Sequence, residues 1–198
     1  AHVTVGALLL MTITVNALWL HRLTPATATL ASRLNDYAML SKVRLSGLVM
    51  VTVAAGYFIG SPGMPNLPVL FATMIGVSLV AAGTSALNQC IERDRDARMD
   101  RTRNRPLPAG RMAPREAMAF GLLTIVGGLL IVGFGVNLLA AGLTAATSAI
   151  YVLIYTPLKT RTTLNTLVGA VPGALPPMIG WAAATGEVQL GAFVLFAI

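Results

Sequence analysis

Between residues 88 and 105 the chain sets Asn88, Glu92, Asp96 and Asp100 at intervals of four, interleaved with Arg93, Arg95, Arg98, Arg101, Arg103 and Arg105. On a helix this spacing places one amide and three carboxylates along a single stripe. Stacked carboxylates repel one another, so the stripe requires positive charge against it. A divalent cation of hard-oxygen preference, magnesium above all, is one source: it retains waters and bridges carboxylates to phosphates. A lattice of the neighbouring arginines with the acids is the other. Arginines beside carboxylates also suit a diphosphate, because guanidinium forks take phosphate oxygens that a shared metal leaves free. Neither a P-loop nor a dinucleotide-binding glycine fingerprint occurs, so neither common nucleotide site is indicated.

The elements that position this stripe are read from hydropathy. The chain has 198 residues, of which 56% are hydrophobic and only 11% charged, against roughly 25% charged in a soluble domain. Mean hydropathy is +0.76. Uncharged apolar runs long enough to cross a hydrocarbon core of about 30 Å recur along the chain, too many for a secretion signal. They lack the strict alternation of barrel strands. The spans are expected at 3–20, 45–59, 69–91, 117–136, 138–156 and 167–184, and 190–198 reads as the opening of another. Cys90 is the only cysteine, which excludes an internal disulfide and a CxxC metal knuckle.

The net charge of +7 does not point to nucleic acid, because its placement is topological. Eight of the fourteen basic residues lie between Arg93 and Arg115. The connections at 22–44, 93–115 and 159–161 are basic, whereas those at 62–68, 137 and 185–189 carry no Lys or Arg. Alternation of this kind puts the three basic connections, and with them the acidic stripe, on the cytoplasmic face of a cell membrane, with the N-terminus outside. Small residues in the fourth and fifth spans permit close helix contact in lipid. Pro172, Pro176 and Pro177, with Gly169, Gly173 and Gly180, interrupt the sixth span, either as a packing kink or as a broken helix that opens a pocket. Residues 104–111, with two prolines, are expected as a restrained loop over the cytoplasmic mouth.

Four segments carry a resemblance to a known family. They are Asn88 with the string ERDRDARMDRTRNRPLPAGR at 92–111, DYAMLSKVRL at 36–45, YTPLKTRTTLN at 155–165 and GAVPGALPPMIGW at 169–181. Together they resemble the intramembrane aromatic prenyltransferases of the UbiA type, and within them the protoheme IX farnesyltransferase (heme O synthase) branch. The resemblance covers about residues 34–198. It implies an all-α polytopic transmembrane helical bundle, with residues 41–198 as the N-terminal part of a prenyltransferase domain, incomplete at the C-terminus. Residues 23–40 would form a cytoplasmic linker or amphipathic segment.

The activity implied is transfer of a farnesyl group from farnesyl diphosphate to the 2-vinyl group of heme b, with Mg2+ held by Asn88, Glu92 and Asp96. Arg95 and Lys159 join these three as catalytic groups, and Lys42, Arg44, Arg103, Arg105, Tyr151, Tyr155 and Asn165 bind substrate. Gln89 stands where quinone-directed relatives carry aspartate, and Asp100 where this branch often has lysine or asparagine. The family has nine core helices and a second aspartate-rich motif that this chain does not reach, so the 198-residue polypeptide is expected to be inactive alone. Residues 1–22 resemble the last helix of heme A synthase, which implies fusion or association with that enzyme and His2 as a heme ligand; an ordinary N-terminal anchor is the alternative. A quinone- or chlorophyll-directed prenyltransferase and a transporter with a broken helix are the rival readings.

Overall fold

The computed structural model describes residues 29–197, and every regular element among them is helical. The expected span at 3–20 and the heme ligand His2 lie outside the described residues. Within the expected linker, Thr29 caps a short helix, α1 (Leu30–Leu40), by accepting a hydrogen bond from the Ser32 amide. Then follow α2 (Val43–Gly60), α3 (Leu67–Asp96), α4 (Pro114–Gly135) and α5 (Leu138–Ala149). A π-helical stretch, Ile150–Tyr155, and a last turn, Thr156–Leu158, extend α5 without interruption; α6 (Asn165–Thr185) and α7 (Leu190–Ala197) complete the described chain.

Among the described residues five segments are long and apolar enough to cross a membrane: Val43–Gly60, Leu67–Asp96, Pro114–Gly135, Leu138–Leu158 and Asn165–Thr185. They coincide with the five expected after residue 40. Their outward faces carry large apolar side chains such as Leu48, Val51, Phe58, Phe71, Leu122 and Phe134, as lipid contact requires. Caps are local. Asn66 accepts from the Val69 amide ahead of Pro68 in the first turn of α3, and Asn137 accepts from the Ala140 amide in the tight turn between α4 and α5. The same Asn137 donates to the carbonyl of Ala182, tying this turn to α6.

Helix α3 is the element that matters most for chemistry. Its 30 residues extend about 45 Å at 1.5 Å per residue, well beyond a hydrocarbon core of about 30 Å. The surplus carries Glu92 and Asp96 past the apolar run. The helix ends at Asp96, so the expected stripe is one member shorter than its spacing suggests. Asp100 lies in the following turns, solvent-exposed and paired with Arg103 at 3.2 Å.

Helix α6 is not broken. It runs continuously through Pro172, Pro176 and Pro177, so of the two expectations for this span the interrupted helix does not hold. Pro172 and Pro177 leave the carbonyls of Val168 and Gly173 without their usual helical donors. Close packing against α2 holds the helix together across them. A Cβ at Gly56 would run into the Pro177 carbonyl, and one at Gly180 into the backbone of Val53, so glycine at both positions sets the approach of α2 and α6.

Residues 97–113 form consecutive turns whose later part packs onto the bundle. Leu107 and Met112 are buried with Leu40, Ala86 and Ala117. Arg111 donates to Asp36 of α1 at 3.0 Å and to the Asn104 carbonyl.

Candidate active site

At the end of α3, a polar cavity of about 360 Å³ lies between the helix, the 97–105 turns and the segment after α5. Two carboxylates, Glu92 and Asp96, face five cations, Lys42, Arg95, Arg101, Arg105 and Lys159. The balance of charge leaves the cavity strongly positive and suited to a polyanion. Glu92 Oε1 accepts from Lys159 Nζ at 3.0 Å, and its Oε2 accepts from the Asn88 amide nitrogen at 2.8 Å. Asn88 is fully buried, and its Oδ1 accepts from the Thr156 hydroxyl at 2.9 Å. Asp96 Oδ2 accepts from Arg105 at 2.6 Å, while Arg95 donates to Thr160.

The two lysines are held differently. Burial pulls the Lys42 ammonium below its ordinary value of 10.5, and the nearby Arg105 charge pulls it further; Glu92 offsets only part of this. Burial works the same way on Lys159, but there the hydrogen bond and charge of Glu92 outweigh it and hold the ammonium above 10.5. Lys159 Nζ also lies 5.0 Å from the centroid of the Tyr155 ring, a cation–π contact.

A second cavity, of about 290 Å³, adjoins the first within the bundle, between α2, α3, α5 and α6. Its walls are mainly apolar, with Val49, Val77, Val80 and Ile179 among them, and α6 contributes Gly169, Pro172, Gly173 and Pro176. Most wall hydroxyls are turned back onto the protein. Thr84 donates to the Val80 carbonyl and pairs with Ser148, and Thr144 and Thr147 donate to carbonyls four residues earlier. Tyr151 and Tyr155 line the mouth end, their ring centroids 5.2 Å apart. Lys42 lines both cavities and so marks the junction of polar mouth and apolar interior.

The π-helical stretch contributes to this geometry. Widened turns of this kind gather at functional sites. Here the stretch keeps both tyrosines on the cavity, while the Thr156 hydroxyl bonds to Asn88 and to the Tyr151 carbonyl. Neither the stretch nor Thr156 stood out from sequence spacing. The available signal was Pro157, which has no N–H to return to the Leu153 carbonyl and so loosens the α-helical ladder at this turn.

Most of the residues singled out from sequence converge on the two cavities. Lys42, Glu92, Arg95, Asp96, Arg105 and Lys159 line the polar one, and Tyr151 and Tyr155 the apolar one. Asn88 sits behind Glu92 and orients it. Asn165 donates to the Lys159 carbonyl at 3.4 Å, supporting the segment rather than lining a cavity. Arg44 and Arg103 lie elsewhere. Arg44 is exposed one residue into α2, and the turn after Asp96 directs Arg103 outward to Asp100. Arg101, two residues before Arg103, takes a place on the cavity wall instead.

The donor set fits magnesium as a shared ion. Among the described residues no group of three or more His, Cys, Asp or Glu side chains is arranged to hold a metal, so a closed protein cage is absent. Magnesium is commonly held by one or two carboxylates plus substrate phosphates, and Glu92 and Asp96 are two such carboxylates on one cavity wall. The Asn88 oxygen is already engaged by Thr156, which makes Asn88 the weaker ligand of the expected three.

Residues 49–198 match the model of the UbiA prenyltransferase family. The chain belongs to this family. Among curated relatives it is similar to the protoheme IX farnesyltransferase of Solibacter usitatus, 45% identical over 83% of this chain and 60% of the relative. It is likewise similar to that of Myxococcus xanthus, 45% identical over 83% of this chain and 55% of the relative. The chain thus spans little more than half the length of these relatives. Two solved UbiA-type folds superpose on it. A digeranylgeranylglyceryl phosphate synthase has a TM-score of 0.75 at 19% identity, over 83% of this chain and 57% of the other. A UbiA homolog from Archaeoglobus fulgidus, bound to DMAPP and Mg2+, has a TM-score of 0.66 at 16% identity, over 81% and 59%. The prenyltransferase family's all-helical membrane fold is therefore the fold of this chain.

Proposed function

We propose that this chain carries the prenyl diphosphate site of an Mg2+-dependent protoheme IX farnesyltransferase, which transfers a farnesyl group from farnesyl diphosphate to the 2-vinyl group of heme b. The observation that carries the reading is that a cationic cavity and an apolar cavity within the bundle adjoin, with Lys42 lining both. A diphosphate headed by a long hydrocarbon has this division of polarity. The acceptor is argued from the relatives named protoheme IX farnesyltransferase, and the metal from the Archaeoglobus fulgidus homolog with DMAPP and Mg2+. The alternation of basic connections supports an inner-membrane protein with its mouth toward the cytoplasm.

Glu92 and Asp96 would hold the metal. Bound Mg2+ supplies electrostatic withdrawal of charge from the diphosphate. Lys42, Arg95, Arg105 and Lys159 bind the diphosphate and stabilise the negative charge that grows on it as the allylic C–O bond breaks, the electron pair leaving with the diphosphate. Asn88 and Thr156 fix Glu92 in place. The apolar cavity holds the farnesyl chain and keeps water from the allylic carbon. Tyr151 and Tyr155 present rings at the cavity end where positive charge develops. The vinyl carbon forms the new C–C bond, and water adds to the cation left beside the porphyrin ring with loss of a proton, giving a hydroxyethylfarnesyl heme.

Incubation of the purified full-length protein with farnesyl diphosphate, heme b and Mg2+, followed by mass spectrometry of the extracted heme, tests this reading. Hydroxyethylfarnesyl heme is the expected product. Unmodified heme together with prenylation of an added quinone would assign a different acceptor.

A further inference from the structure

The joint between α1 and α2 is unusual in its backbone. Lys42 has φ 48° and ψ 48°, the only non-glycine residue at positive φ among those described. A residue with a side chain persists in this left-handed region when its surroundings leave no alternative. Within the joint the Ser41 amide donates to the Tyr37 carbonyl at 2.9 Å, the Lys42 amide to the Met39 carbonyl at 3.3 Å, the Leu45 and Ser46 amides to the Lys42 carbonyl at 2.9 and 3.0 Å, and the Ser46 hydroxyl to the Ser41 carbonyl at 3.1 Å; none of these bonds serves the Leu40 carbonyl. Leu40, with no exposed surface, ends α1 with a carbonyl that has no continuing helix to serve.

Gln89 supplies the missing donor from α3. Its side chain is fully buried, and Nε2 donates to the Leu40 carbonyl at 2.7 Å and to the Met39 carbonyl at 3.4 Å. Turning the amide over would set Oε1 against two carbonyl oxygens, so its orientation is determined by acceptors alone. Oε1 has no hydrogen-bond partner among the described residues, so the hydrogen bonds of this side chain are those made by Nε2. Gln89 follows Asn88 directly on α3, so neighbouring residues of one helix orient Glu92 on one side and the Lys42 joint on the other.

We infer that Gln89 is a positioning residue: by capping the end of α1 across the helix interface, it fixes the backbone at Lys42 and thereby sets the Lys42 ammonium at the junction of the two cavities. The role of Lys42 toward a diphosphate rests on the function proposed above; the hold of Gln89 on the joint does not.

A double-mutant cycle on the full-length protein in detergent tests this, with farnesyl diphosphate and Mg2+ as the probe in calorimetric titration. If Gln89 acts through Lys42, Gln89→Leu and Lys42→Met each weaken binding about tenfold and the double variant is no weaker than Lys42→Met alone. Multiplied losses, about a hundredfold in the double variant, overturn the inference. Amide hydrogen exchange over residues 39–46 gives the second readout. Faster exchange there in Gln89→Leu, with α3 and α4 protected as before, supports the clamp, and unchanged exchange in a folded variant overturns it. Unaltered binding in Lys42→Met with faster exchange in Gln89→Leu would instead remove the diphosphate role of Lys42 and leave the clamp standing.

Discussion

Two clusters of acids and cations lie near the same turns between α3 and α4, and they are built to opposite ends. In one, Glu116 Oε1 accepts from Arg33 at 3.1 Å and from the Tyr37 hydroxyl at 2.6 Å, with the carboxylate wholly buried. Burial and the Glu116 hydrogen bond push the Tyr37 hydroxyl well above its ordinary range, so it stays a donor at any working pH. In the other, Glu92 and Asp96 meet more cations than they neutralise, on the wall of an open cavity. The closed cluster is balanced and fastens α1 to the bundle. The open one has positive charge to spare, and spare charge at a concave site is capacity for an anion. The same side-chain chemistry is thus suited to anchoring or to binding according to whether the charges are matched and whether a ligand can reach them.

The largest effect expected is on the closed side. Glu116→Ala strands a buried guanidinium, and breaking a buried pair costs about 3–5 kcal/mol. It should lower thermal stability sharply in detergent while leaving turnover per folded molecule near that of the parent. Collapse of turnover without loss of stability would erase the contrast. Asp96→Asn tests the open side: turnover should fall about 10²–10³-fold at saturating Mg2+, the range for loss of one transition-state electrostatic group, with much less change in heme affinity. Lys159→Met should follow at about 10–100-fold, as a hydrogen bond to a charged group is worth about 1.5–3 kcal/mol. Arg103→Ala should change stability and turnover little, because an exposed pair such as Arg103 with Asp100 contributes about 0–1 kcal/mol.

Titration separates the two lysines of the open cluster. Lys42 loses its proton below 10.5, so farnesyl diphosphate affinity should decline on the alkaline side before that pH is reached. Lys159 is held above 10.5, and the stability it lends through Glu92 is fully present below that value and lost only above it. Lys42→Arg should therefore move the alkaline decline upward, and Lys159→Arg should not; binding measured from neutral to alkaline pH checks both.

Much of this was legible in the sequence. Long apolar runs announce membrane helices because their signal accumulates over many residues, and five of the expected spans coincide with helices. The spacing of Asn88, Glu92 and Asp96 on one face needed only that α3 continue to Asp96. What spacing did not give is how chain segments meet after the helix stops. Whether Arg101, Arg103 or Arg105 reaches the cavity depends on the path of residues 97–105, and alternation alone treats them as equivalent. The Gln89 contact to Leu40 and the Glu116 contacts to Arg33 and Tyr37 join residues 49 to 83 positions apart. No local pattern encodes such pairings.

The central claim is that one continuous site divides its ligand, diphosphate in the cationic mouth and prenyl chain in the apolar interior. An experimental structure of the full-length protein with farnesyl thiodiphosphate and Mg2+ tests it most directly. The predicted result places the diphosphate among Glu92, Asp96, Lys42, Arg105 and Lys159, with the hydrocarbon running inward past Tyr151 and Tyr155 between α2, α3, α5 and α6. A diphosphate bound elsewhere, with Glu92 and Asp96 still paired only to Lys159 and Arg105, would contradict it.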